Sequence, residues 1–153
     1  MITLPADLCD PLFDDKFKRG CVIRTDLECH DGRQRPHYFI VLTNFTDLPT
    51  QALLVATSQT NFYDKYPYFN SDILRIPAKQ LSFFPSDTVI DCRKIHEFNR
   101  DVLKQRFRDN ILQFAGILPE QLCAKLTEII KQSRHLSIRD RELILGGNFL
   151  DTQ

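Results

Sequence analysis

Tryptophan is absent, and methionine occurs once, at position 1. Aromatic packing therefore rests on twelve Phe and four Tyr. Net charge is lacking too: 20 basic residues meet 20 acidic ones, and the pI is near 6.9. A chain built to coat duplex nucleic acid carries a basic excess, which argues against a transcription factor or chromatin protein. Any nucleic-acid contact must use a local groove, because steering depends on where charges sit. No run of about 18 apolar residues occurs, so no transmembrane helix is expected. The opening MITLPADLCDPLFDD brings acids early and has no secretory-signal pattern. Cys9, Cys21, Cys29, Cys92 and Cys123 include no CxxC pair, which removes zinc-ribbon and thioredoxin motifs. Small, reduced, apolar side chains account for them and point to a reducing, cytoplasmic setting. Gly-rich phosphate loops, HExxH and GxSxG are missing as well. The histidines His30, His37, His96 and His135 share no ligand spacing, so neither a metal nor a cofactor is expected.

What is present fits one domain. A chain of 153 residues can bury roughly 70% of the surface it exposes when unfolded. Residues 1–17, broken by Pro5 and Pro11, read as an irregular arm or edge segment. Cys21 to Thr25 has strand character, and Glu28 to Gln34 reads as a loop. His37 to Thr43 is the strongest strand, entered through Pro36. Ala52 to Thr57 is a second central strand, close enough to pair with it antiparallel. Residues 58–70 read as an aromatic loop. Ile73–Ile76, a run from Thr88 toward Ile95, and Ile111–Phe114 follow as short strands. Asn99 or Asp101 caps a short helix to about Phe107. Pro119 opens the most regular helix, with Leu122, Leu126, Ile129 and Ile130 on one face. Ser137 and Asp140 have capping-box spacing before a last short helix. This order predicts an α+β fold, a small antiparallel barrel with appended helices.

Three local features bear on chemistry. Arg35 stands at the mouth of the best strand, in Gly32-Arg33-Gln34-Arg35-Pro36, where a guanidinium suits a phosphate; a solvated loop arginine is the plainer account. Thr57-Ser58-Gln59-Thr60 ends the neighbouring strand, where hydroxyls bind phosphate or, more commonly, cap a turn. If the two strands pair, Arg35 and Thr57 converge at one rim. Asp91-Cys92-Arg93-Lys94-Ile95-His96 gathers polar groups at another strand end.

These features, in this order, resemble the MazF/PemK toxins of toxin–antitoxin systems. Gly20-Cys21-Val22 resembles their opening Gly-x-Val. Gln34-Arg35-Pro36 before an apolar strand resembles their Gly-x-Arg-Pro. Thr57-Ser58-Gln59 and Tyr66-Pro67-Tyr68-Phe69 resemble their Thr-x-Gln and Tyr-Pro-Phe. Gly116 to Leu122 resembles their tail and helix. The likeness spans roughly residues 19–133, with residues 1–18 as an N-terminal arm and 134–153 as a C-terminal extension. His37-Tyr38 is bulkier than the family's small apolar pair.

The resemblance implies an SH3-like barrel and an endoribonuclease that cuts single-stranded RNA without a metal. The ribose 2′-OH, which separates RNA from DNA, would attack the adjacent phosphate. Arg35 and Thr57 match the family's catalytic pair. A fixed donor aimed at the developing charge is worth about 3–4 kcal/mol. His37, Asp91 and His96 are acid–base candidates by position. Arg33, Ser58, Gln59, Tyr63, Tyr66 and Lys94 are candidates for holding RNA, with tyrosines stacking on bases; the same aromatic loop could instead cover the barrel. A homodimer and an acidic antitoxin are the implied partners. Two rivals keep the barrel: a non-catalytic SH3-like binding module, and a toxin aimed at a protein such as gyrase. Fold alone does not separate the three.

Overall fold

The computed structural model describes residues 5–28, 34–43 and 48–146. Among the described residues, seven strands form one sheet: β1 (Cys21–Glu28), β2 (Gln34–Val41), β3 (Thr50–Thr57), β4 (Ile73–Ile76), β5 (Thr88–Asp91), β6 (His96–Asn99) and β7 (Leu112–Ile117). Their order is β4-β5-β3-β2-β1-β7, with β6 also on β3, and every pairing is antiparallel. Five α-helices accompany them among the described residues: α1 (Ala6–Lys16), α2 (Asn61–Lys65), α3 (Arg100–Arg108), α4 (Glu120–Gln132) and α5 (Ile138–Leu145).

The central strands are apolar on both sides, and the pleat splits them into two cores. Ile23, Phe39, Val41 and Leu53 face one way and pack with Phe13 and Phe17 from the α1 segment and Leu103 of α3. Val22, Ile40, Leu54 and Ala56 face the other way and meet Leu122, Leu126 and Ile130 of α4 and Ile144 of α5. Burying each large apolar side chain stabilises by about 1.5–3 kcal/mol. The near-continuous hydrophobicity of β2 and β3 thus records helices on both faces.

Segments near both ends of the described residues are part of this packing. Residues 1–17, expected to be irregular, contain α1. Cys9, Phe13 and Phe17 repeat at a spacing of four and are all buried, so one stripe docks on the sheet. That burial outweighs the cost of Pro11 inside the helix. Across the sheet, the half-buried Arg19 donates to the carbonyls of Leu42 and Ile144 and to Thr127 Oγ1, tying β2, α4 and α5 together.

Other expectations need smaller corrections. Residues 58–70 hold α2 and the start of a 3-10 turn, Pro67–Asp72, in place of a plain loop. Pro36 lies inside β2, opposite Asp26, not at its start. The run from Thr88 toward Ile95 breaks after Asp91, whose carboxylate accepts the Arg93 N–H at 2.9 Å. The chain resumes as β6. As a result β3 pairs with β5 through Ala56 and Thr57 and with β6 through Thr50 to Leu53. The caps were readable: Asn99 accepts from Asp101 N at 2.8 Å and Ser137 from Asp140 N at 3.1 Å.

The sheet is α+β and antiparallel as expected, but it does not close. No pairing joins β4 to β7 among the described residues. Contact is made through the loop between β4 and β5. A Cβ on Gly116 of β7 would lie 2.4 Å from the Phe83 ring, so this glycine admits the ring against the strand. No helix among the described residues is long and apolar enough to cross a membrane.

Candidate functional site

The register of the central strands sets the site. Tyr38 pairs with Ala56 and Phe39 with Val55. One further step places Thr57 across from His37. Thr25 of β1 pairs with His37 on the other side, and His96 of β6 pairs with Leu53. The pleat then puts His37, Phe39, Thr57 and His96 on the face that carries α1 and α3. The His37 ring lies 6.3 Å from Phe39 and the His96 ring 5.7 Å from it, centre to centre. Both imidazoles therefore border one aromatic floor, with Phe98 edge-on at 5.4 Å.

His96 is half-buried, and its pKa is held below the ordinary histidine value. Burial is the main cause, reinforced by the positive charges of Lys94 and His37 and opposed by Asp91. The ring is neutral at pH 7 and able to accept a proton. Arg106, from α3, donates to the Asp26 carbonyl at 2.7 Å and to Thr25 Oγ1 at 3.3 Å, and its guanidinium lies 5.7 Å from the Phe98 ring. It brings a fixed cation to the same quarter of the sheet. Lys94, two residues before His96, is exposed.

The remaining candidates divide. Arg35 is described as a backbone position on β2, paired with Leu27; Arg33 lies outside the described residues. The Thr57 hydroxyl accepts the Gln59 N–H at 3.1 Å, so it already caps the turn that ends β3. Ser58 and Gln59 are exposed.

The Asp91 carboxylate is already held by Tyr63 and Arg93. Tyr63 is buried, and its hydroxyl donates to Asp91 Oδ2 at 2.8 Å. Burial, and then the Asp91 carboxylate, push the phenol up to about 12. Arg93 holds the same carboxylate with Nε at 3.0 Å and Nη2 at 2.7 Å. Burial would raise the Asp91 carboxyl, but hydrogen bonds from Arg93 and Tyr63 outweigh it and keep the pKa below the ordinary value. A carboxylate so engaged is a poor proton acceptor, and a buried phenol cannot stack on a base. Tyr66 is half-buried in an aromatic group with Phe62, Tyr68 and Phe69. Arg93 lies 4.0 Å over the Phe69 ring. This segment is therefore fastened to the Asp91 turn, which answers in part what its aromatics contact.

Arg93 was read only as part of the Asp91-to-His96 polar run, and Arg106 was not singled out from the sequence. Asp91 and Arg93 at a spacing of two across a strand end signal an Asx turn with a returning ion pair. Arg106 had no local signal, since only tertiary packing brings α3 over β1. Among the described residues, no group of three His, Cys, Asp or Glu could hold a metal ion. Cys9, Cys21, Cys92 and Cys123 are free thiols. No family model matches the chain, and no curated protein matches it.

Proposed function

We propose that this protein is an endoribonuclease that cuts single-stranded RNA without a metal, working in the cytoplasm in the manner of a MazF/PemK toxin. One observation carries the reading. On one face of the sheet the His37 and His96 rings both border Phe39, at 6.3 and 5.7 Å, while Thr57 ends β3 one step beyond the Tyr38–Ala56 pair and the Arg35 position stands two residues before His37. The step needs this set of groups. A base takes the proton from the ribose 2′-OH, whose oxygen attacks the adjacent phosphorus. The bond from phosphorus to the 5′ oxygen breaks, and an acid protonates that leaving oxygen. A 2′,3′-cyclic phosphate and a 5′-OH result.

His96, neutral at pH 7, takes the role of base, and His37 that of acid. Arg35 and Thr57 bind the phosphoryl oxygens, Arg35 through its planar fork. Arg106 and Lys94 add positive charge along the strand's path. The approach of Phe83, in the β4–β5 loop, to Gly116 of β7 fits an SH3-like barrel with one open seam. A second copy and an acidic antitoxin segment are the partners this reading carries. The direct test uses a single-stranded oligonucleotide in EDTA. Cleavage is expected with ribose throughout and is abolished by 2′-deoxy substitution at the cut nucleotide; cleavage that survives the substitution would discard the mechanism.

A non-catalytic binding module has one observation in its favour. Phe62 and Tyr68 are 45% and 68% exposed on the segment anchored by Arg93, as a stacking platform would be. Binding of the same oligonucleotide with no cleavage would favour it.

A further inference from the structure

A small pocket lies at the same end of the sheet, on its other face. It encloses about 140 Å³ and is walled by Tyr38, Ala56, Phe84 and Pro85, with Ser58 and Ser86 at its mouth. Each element has a reason to be there. Tyr38 and Ala56 are opposite one another in the β2–β3 pairing. Phe84 is buried and stands edge-on to Tyr38, at right angles with centroids 5.5 Å apart. The Thr88 hydroxyl donates to the Ser86 carbonyl at 3.0 Å and fixes the Pro85-Ser86 corner. The smallness of Ala56 leaves the space that a larger side chain would fill.

We infer that this pocket receives one single-ring base of the RNA strand, beside the bond that is cut. The volume is below the roughly 300–1,000 Å³ of pockets for larger ligands, and suits one ring better than a fused pair. The half-buried Tyr38 ring can take one face of a base against a floor of Phe84 and Ala56, and two exposed serine hydroxyls can each give or accept a hydrogen bond at its edge. The pocket residues interleave with the proposed cutting residues. Tyr38 follows His37, while Ala56 and Ser58 flank Thr57. A strand crossing the sheet end would therefore leave its phosphate on one face and turn a neighbouring base over to the other. The inference rests on the ribonuclease reading, but its pocket is testable apart from it.

The test joins two measurements on the full chain. Ring resonances of Tyr38 and Phe84 are followed by NMR during titration with uridine 3′-monophosphate and, separately, guanosine 3′-monophosphate. Cut sites on a long RNA are mapped for the wild type, Ala56→Leu and Ser86→Ala. The expected result is ring shifts with the uridine nucleotide only, lost in Ala56→Leu. The preference for a pyrimidine at one position beside the cut should fall about tenfold in each variant; Ser86 is exposed, so its variant tests the pocket even if Ala56→Leu fails to fold. Ring shifts without any RNA cleavage would overturn the ribonuclease reading and keep the pocket. Cleavage with an unchanged preference in both variants, and no ring shifts, would overturn the pocket and keep the ribonuclease. Failure of both measurements would overturn both.

Discussion

Replacing Arg93 by alanine strands a buried charge. The Asp91 side chain is 10% exposed and that of Arg93 24%, and the carboxylate takes three hydrogen bonds from the arginine side chain. Losing one partner of a fully buried pair costs about 3–5 kcal/mol. Partial exposure of Arg93 lets water screen the pair, which brings the cost to about 2–3 kcal/mol. At about 2–4 °C per kcal/mol for a chain of this size, Tm should fall by about 4–12 °C at pH 7. The pH dependence separates charge from packing. In the wild type the Asp91 pKa is depressed, so its contribution is present above the ordinary carboxylate value and is lost as pH falls through the folded one. In Arg93→Ala, burial pushes the carboxyl up, and the stranded charge is relieved by protonation. The gap in Tm should therefore be widest near neutrality and narrow toward pH 4. Thermal melts followed by circular dichroism at several pH values measure it. An equal gap at every pH would refute the electrostatic argument and leave only loss of the stack on Phe69.

Gly116→Ala sets a methyl against the Phe83 ring and should cost about 1–3 kcal/mol. In a double-mutant cycle with Phe83→Ala, the two changes together should cost less than their sum, as read by urea unfolding. Phe13→Ala removes a fully buried ring and should cost about 3–5 kcal/mol in the same assay; a loss under about 1 kcal/mol would fit a loosely held arm, not a core helix. By NMR titration His96 should lose its proton below the ordinary histidine midpoint, and Lys94→Ala should move that midpoint upward by removing a repelling charge. Cleavage that needs His96 as base should rise with pH through the same midpoint.

Much of the architecture was legible because local signals agreed with burial. β2 and β3 announced themselves by continuous apolar, β-branched and aromatic runs. α3, α4 and α5 carried caps or a clear apolar stripe. The signal failed where tertiary packing overrode local chemistry. Pro5 and Pro11 disguised α1, although Cys9, Phe13 and Phe17 spelled out its buried face. The break after Asp91 depends on a turn held by its own side chain, which hydrophobic pattern alone does not report. For the site, pairing of the two central strands was sufficient to bring Thr57 toward the start of β2. The neighbourhood of His37 and His96 required β6 to pair with β3, a contact between positions far apart in sequence. The same distance hid Arg106, whose helix reaches β1 only in the folded chain. Asp91 and Tyr63 looked available because sequence shows residue type and position, not the hydrogen bonds that occupy a group.

The account stands or falls on RNA. A long single-stranded RNA incubated in EDTA with the purified protein, and in parallel with Arg35→Ala and His96→Ala variants confirmed to be folded, gives the most direct answer. Fragments ending in 5′-OH and cyclic phosphate, lost in both variants, are the predicted result. Intact RNA with the folded wild-type protein, or cleavage that persists unchanged in the variants, would contradict it.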